Sequence, residues 1–470
     1  MLIKGALAAL PGEEDFRRVD MLVAGGKIAR IAEAGGIAAD AEGGGGEILD
    51  AEGLMLFPGA IDPHVHFDEP GFTHREDFLH GSSEAARGGV TTVIDMPCTS
   101  LPPVTRLEAL KNKLAAVSGK AVIDYAFYGG VNGLDSLEEI EAAIAELAPE
   151  VVGFKCYTVS GMETFAAVSP EQFALAYKTC AAAGRPLLLH AEDPGVIRAA
   201  QAALDAARGS APLSWKDYFA SRPMAAEVEA CAAALRLASP DPRWLHIVHV
   251  GTAAASALAA AAGATCETCA HYLAFDEQDF ERLGAALKTA PPVKEPTQKA
   301  LLWRQLAEGI ISFVASDHAG APGYEKFTGD PLTAYGGIPG TGTLFPYLLS
   351  EGLFAKRLPL KRFLEASSGA AAARYGLSGG KGSLEPGKDA DFVLVDPDAT
   401  TTMEPSAMFS KSGITPFAGL RLAGRIAGTF VRGSRAYATP RLAARGGVPA
   451  SRGRILAAPG SGKHITWGYR

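Results

Sequence analysis

The chain has 470 residues, 48% of them hydrophobic and 20% charged, with a formal net charge of −8. That length exceeds one ordinary domain but suits a large barrel with a smaller companion. An ordinary globular composition with a negative balance gives no general attraction for nucleic acid or an anionic membrane, and points to a protein acting on a small molecule.

Residues 1–53 hold β-type pieces, Met21-Leu22-Val23 and Lys27 to Ile31, separated by glycine-rich turns with little helical period. Met1 to Leu10 runs straight into Glu13-Glu14-Asp15, unlike a signal peptide. From 54 to 380 short β-type runs alternate with alanine-rich helical stretches studded with Glu and Lys, which predicts parallel strands joined by helical crossovers. The runs are Leu56 to Ile61, Val90 to Met96, Ala121 to Tyr128, Val151 to Tyr157, Pro186 to His190, Trp244 to Val250, Ala264 to His271 and Ile311 to Asp317. Eight such units over roughly 320 residues fit an α/β fold of the (β/α)8 TIM-barrel type, whose chemistry lies at the C-terminal ends of its strands. The alanine-rich run Ala253 to Ala264 falls short of the ~20 apolar residues a membrane span needs. At 381–437 the β pattern returns, so both chain ends are expected to build one small β-sandwich. Residues 438–470 carry six Lys/Arg and no acidic residue, and read as a basic tail, a solvated arm or an oligomer clasp rather than a nucleic-acid site. The six cysteines are scattered through strand-like and helix-like segments and read as reduced thiols in a cytoplasmic protein.

Pro63-His64-Val65-His66 is the most informative motif. Alternate residues of a strand point the same way, so His64 and His66 can share one ion, although a hydrogen-bonded histidine pair fits the dipeptide equally well. The other strand ends add Lys155, His190, His249 and Asp317. A buried lysine is costly as a cation, and its neutral amine can take up carbon dioxide to give a carbamate that bridges two metals; the alternative is a lysine paired with a carboxylate such as Asp317. Four imidazoles, a carbamate and a carboxylate suit two divalent ions, zinc by preference, with room for a shared water. Asp317 is then the catalytic proton shuttle in hydrolysis of an unactivated amide. His246 lies an odd number of residues from His249 and is expected to face away from it. The Cys266-Glu267-Thr268-Cys269-Ala270-His271 run lacks the spacing of a zinc or haem site, His74 and His80 read as surface residues, and His318 as support or as facing the opposite side.

The chain resembles the cyclic amidohydrolases of the amidohydrolase superfamily, the group of dihydroorotase, allantoinase and hydantoinase/dihydropyrimidinase. The likeness is carried by Phe57 to His66, Gly88 to Thr92, Gly153-Phe154-Lys155, Leu189 to Glu192, Val248-His249-Val250, Glu267 to Leu273, Ser316-Asp317-His318 and Gly387 to Asp391. It implies that His64, His66, Lys155 and Asp317 hold one metal and His190, His249 and Lys155 the other. Where dihydroorotases typically place arginine and asparagine to grip a carboxylate, this sequence has Asp68 and Cys98. Ser100-Leu101-Pro102, Ala220 to Pro223, Lys288-Thr289-Ala290-Pro291-Pro292 and Tyr335 to Gly340 look closer to allantoinase. The resemblance thus implies conversion of allantoin to allantoate, with Asp68, Cys98, Thr289 and Ala290 at the substrate. Dihydroorotase and hydantoinase or dihydropyrimidinase activity are the alternatives within the enzyme class, and a non-catalytic scaffold of the same fold the alternative outside it. The expected partner is a small cyclic ureide, with no nucleic acid and no membrane, in a homo-oligomer that is a dimer or tetramer.

Overall fold

In the computed structural model, residues 1–38, 46–440, 442 and 453–470 are described. The N-terminal strands β1 (Leu2–Ala8), β2 (Arg17–Ala24) and β3 (Lys27–Glu33) form an antiparallel meander, and β4 (Ile48–Asp50) and β5 (Met55–Pro58) pair parallel to β1. Leu56 and Phe57 therefore belong to this terminal sheet, and the strand expected over Leu56 to Ile61 is divided at Gly59. The division has a steric cause: a Cβ at Gly59 would sit 2.1 Å from Thr91 Oγ1, so only glycine lets the chain pass between the two sheets.

Beyond Gly59 come the barrel strands β6 (Ala60–Val65), β7 (Val90–Asp95), β8 (Asp124–Phe127), β9 (Gly129–Gly130), β10 (Phe154–Tyr157), β11 (Leu187–His190), β12 (Leu245–Ile247), β13 (Thr265–Cys269) and β14 (Phe313–Ala315). They form two parallel sheets, β6-β7-β8 and β9 through β14 in sequential order. β8 and β9 are successive parts of one extended run, which makes eight strand positions. At the other seam, His66 N donates to His318 O at 2.7 Å, and Ser316 N to Asp62 Oδ1 at 3.0 Å. β6, β7 and β10 are buried along their whole length, as parallel strands covered on both faces must be. The covering helices show why they pack: Leu137–Leu147 starts at a Ser136/Glu139 capping box and buries Ile140, Ala143, Ile144 and Leu147, one stripe at helical spacing.

After the barrel, β15 (Phe392–Thr402), β16 (Arg421–Val431), β17 (Ser434–Ala438) and β18 (Arg454–Ile455) continue the terminal sheet in the order β18-β17-β16-β15-β5-β1-β2-β3. Its two halves share one core, with Ile3, Val19 and Met21 from the start of the chain against Leu394 and Phe430 from the end. No described helix is long and apolar enough to cross a membrane.

The basic tail departs from its reading as a loose arm. Residues 453–470 run as a strap along the barrel: Tyr125 N donates to Lys463 O at 2.9 Å, Ile465 N returns a bond to Tyr125 O at 2.8 Å, and Ile465 is buried. Trp467 lies against Gly376, where an added Cβ would meet its ring at 2.6 Å. Charge counting missed the apolar anchors Ile465 and Trp467 between the basic residues. Of the tail, residues 441 and 443–452 lie outside the described residues.

Candidate active site

His64, His66, Lys155, His190, His249 and Asp317 come together at one mouth of the barrel. His64 Nε2 and His66 Nε2 lie 3.1 and 3.4 Å from the same Asp317 Oδ1. His190 Nδ1 and His249 Nε2 face each other at 3.0 Å, and the rings of His64 and His249 are 5.4 Å apart. His249 and Asp317 sit in the left-handed region with φ of 40° and 50°, and Asp68 at 57°. Non-glycine residues tolerate that conformation only where their surroundings impose it, which strand ends turning side chains into a shared mouth do.

Supporting groups orient these side chains. Glu267, in β13, accepts from His64 Nδ1 at 2.6 Å and lies 3.3 Å from His246 Nε2. His246 is thus turned away from His249, as its spacing requires, and reaches the site only through Glu267. Glu192 receives His190 Nε2 at 3.0 Å and pairs with Arg222 on its other side. These contacts leave one ring nitrogen of His64 and of His190 aimed at the mouth, the arrangement that carboxylates give to metal-ligating histidines. His318 accepts Gly340 N at 3.2 Å through Nδ1 and meets Glu76 at 3.2 Å through Nε2, so its role is to brace the loops. His74 and His80 are half exposed and bonded to Glu325 and Asp77. His271 is buried beside Tyr272, apart from the free thiols of Cys266 and Cys269, and burial lowers its imidazole to about 4.

Lys155 decides between the two readings of the buried lysine. Its Nζ is fully buried with no hydrogen-bond partner, so the ion pair with Asp317 does not form. Burial depresses the amine below its ordinary range, although Cys98 and Asp317 work against that shift. Burial alone would raise Asp317, but His64, His66 and His249 hold its carboxyl well below the usual range. Burial, with Lys155 adding to it, keeps His64 and His249 neutral. His66 goes the other way: burial would lower it, but Cys98 and Asp317 raise it to about 10. Imidazole nitrogens, an anionic carboxylate and an unpartnered amine are the donor set for divalent ions, and His64, His66 and Asp317 already converge closely enough to hold one.

The mouth opens into a cavity of about 220 Å³. Cys98 and Ala290 line it; Asp68 and Thr289, expected at the substrate, do not. The Asp68 carboxylate is buried without a hydrogen bond, and burial raises it to about 7 despite His66 and Arg75. Thr289 turns its hydroxyl to Pro291 O at 2.8 Å. Residues not assigned to the substrate from the sequence complete the wall: Arg75, Tyr157, Met162, Arg222 and Tyr335. Both arginines are already paired, Arg75 with Glu325 at 2.6 Å and Arg222 with Glu192. Tyr157 stacks on His190 at 5.1 Å and holds Cys98 Sγ at 3.0 Å through its hydroxyl. Arg222 and Tyr335 stood inside quoted motifs, Ala220 to Pro223 and Tyr335 to Gly340, and Tyr157 ends strand β10; Arg75 and Met162 lie on loops, where no periodicity marks them.

The chain is similar to an allantoinase of Rubrobacter xylanophilus, 38% identical over 89% of this chain and 94% of the relative, and to one of Deinococcus radiodurans, 36% identical over 97% and 98%. Among solved structures it is similar to an L-hydantoinase (dihydropyrimidinase) from Arthrobacter aurescens, with a TM-score of 0.88 and 31% identity over 99% of each chain. A dihydropyrimidinase from Brevibacillus agri superposes with a TM-score of 0.85 at 26% identity, over 100% of this chain and 99% of that one. These are (β/α)8 barrels with a β-sandwich, the architecture found here. The amidohydrolase family model matches residues 55–436, from the strand ahead of the His-x-His pair to the last long strands of the terminal sheet, and the chain belongs to the amidohydrolase family.

Proposed function

We propose that this chain opens the ring of a cyclic ureide by hydrolysis, with allantoin as substrate and allantoate as product. Enzymes of this family are metal-dependent, and the observation that carries the reading is the unpartnered Lys155 amine among four imidazoles and Asp317 at one barrel mouth. Similarity to allantoinases over most of the chain supports the substrate.

In this reading His64, His66 and Asp317 would hold one divalent ion and His190 and His249 a second, and Lys155, once its neutral amine has added carbon dioxide and released a proton, would supply the anionic donor they share. Zinc suits the nitrogen-rich donor set. When bound, the ions supply an acidified water and polarise the scissile carbonyl. Asp317 is placed to accept the proton of the attacking water and to return it to the ring nitrogen as the carbon–nitrogen bond breaks. Cys98, Ala290, Tyr157 and Tyr335 wall the ring. Arg75 and Arg222 keep spare N–H donors for carbonyl oxygens, but each already neutralises a carboxylate, which suits a neutral ureide better than an anionic ring.

Kinetics on zinc-loaded protein test the substrate. The expected kcat/KM for allantoin is at least about a hundredfold above that for dihydroorotate, roughly 3 kcal/mol of differential transition-state binding. Preference for dihydroorotate overturns the assignment. Activity on hydantoin or dihydrouracil without allantoin turnover selects the second reading, which the hydantoinase and dihydropyrimidinase structures favour.

A further inference from the structure

One wall of the cavity is fixed in an unusual way. Tyr335 and Gly336 line the cavity at the end of the segment 319–337, whose outer side exposes Tyr324 at 70% and Phe327 at 63%. The inner side is gripped by two buried lysines. Lys288 donates to Leu332 O at 2.9 Å and to Ala334 O; Lys326 donates to Tyr335 O at 3.0 Å and Gly337 O at 2.8 Å. The residues are 5% and 1% exposed, and neither lysine forms an ion pair with a carboxylate among the described residues. Backbone bonds complete the attachment: Gly337 N donates to Lys288 O at 2.9 Å and Tyr335 N to Glu325 O at 2.8 Å.

Two amines buried against one stretch of backbone without an ion pair are a poor choice for stability, since an apolar residue of similar length avoids the desolvation. Burial accordingly lowers Lys288 to about 8, with Arg222 adding to the shift, and Lys326 to about 7, with Lys288 adding to it. What the amines do provide is several donors each, enough to hold four carbonyls within residues 332–337, those of Leu332, Ala334, Tyr335 and Gly337. Those carbonyls belong to the stretch that places the Tyr335 ring in the cavity, with Arg75 stacked 4.6 Å from it.

We propose that Lys288 and Lys326 are positioning residues for the substrate: a two-lysine clamp on the backbone of residues 332–337 that sets the Tyr335–Gly336 wall of the cavity before the ring binds. The clamp touches no candidate metal ligand, so its loss acts on substrate binding and not on metal content. It rests on the ring-opening function proposed above only for the kinetic part of its test.

The test uses Lys288→Met and Lys326→Met in the full-length, zinc-loaded protein, with metal analysis, allantoin kinetics and hydrogen exchange of residues 332–337. The clamp predicts unchanged metal content, KM raised at least about tenfold with kcat within about threefold, and faster exchange at Ala334, Tyr335 and Gly337. Unchanged KM and unchanged exchange overturn it, as does a fall in kcat that tracks lost metal. Exchange needs no substrate, so a wild-type protein inactive on allantoin defeats the functional reading while the clamp is still judged. If neither variant folds, the wild type decides: amides of 334, 335 and 337 exchanging as fast as the exposed stretch around Phe327 contradict the clamp, and barrel-like protection supports it.

Discussion

The candidate active-site mouth and the buried charge cluster of Lys381 each bury a lysine, and the two lysines are treated in opposite ways. Lys381 is 2% exposed and meets Asp124 at 2.6 Å, Asp389 at 2.8 Å and Asp391 at 2.6 Å. Burial would lower its pKa, but those carboxylates hold it above its ordinary range as a permanent cation. Arg432 and the backbone N–H of Lys463 also bond to Asp124, so terminal sheet, barrel strand β8 and C-terminal strap meet in one polar cluster. Lys155 has no such partner, and His249 Nδ1 and Glu192 Oε1 at the mouth are likewise unsatisfied. A buried network with its partners in place fixes structure, whereas polar groups buried without partners mark where a ligand belongs.

The contrast is sharpest if each cluster is broken separately. Asp317→Asn keeps the side-chain shape but removes its basicity, and turnover is expected to fall by about two to four orders of magnitude with the thermal midpoint nearly unchanged. Retained metal with near-normal turnover would reassign the base. Lys381→Met should do the reverse, since it leaves three carboxylates buried with too few cations. Stability in urea titration is expected to fall by about 3–5 kcal/mol, while kcat per folded molecule stays within about twofold. Lost activity in fully folded Lys381→Met protein would mean that the two clusters are coupled.

A smaller effect concerns the strap. His464 stacks on Tyr125 with its Nε2 unpaired, and burial lowers its imidazole to about 4. The unfolded residue binds a proton near pH 6.5 and the docked one only near 4, so the stability from docking is complete above pH 6.5 and declines as pH falls toward 4. Hydrogen exchange of residues 453–470 should therefore quicken over that window, and His464→Phe should flatten the change. Equal pH dependence in both proteins would remove His464 from the account.

The mouth was more legible in the sequence than its surroundings. A histidine, lysine or aspartate closing an apolar strand stands out because the run before it has no other reason to turn polar, and all six such residues meet in space. Glu267 was quoted as part of a motif, but its role depends on His64, 203 residues away in the chain, and spacing cannot reveal that. Arg75 and Tyr335 sit on loops whose course is set by tertiary contacts, and Lys326 ends the four-residue helix Gly323–Lys326, too short to show a period. Leu54 to Ile61 reads as one apolar run although Gly59 divides it, because the cause of the break is the approach of Thr91 from another strand. The strap was misread for a similar reason: its charges are exposed in the sequence pattern, whereas Ile465 and Trp467 show their value only against Tyr125 and Gly376.

The central claim is that the unpartnered Lys155 is reserved for a metal bridge, and metal analysis of the wild type beside Lys155→Ala tests it most directly. The expected result is two divalent ions per chain in the wild type, loss of both metal and activity in the variant, and partial recovery when a small carboxylic acid is supplied in place of the bridge. Full metal occupancy together with full activity in Lys155→Ala would contradict the account.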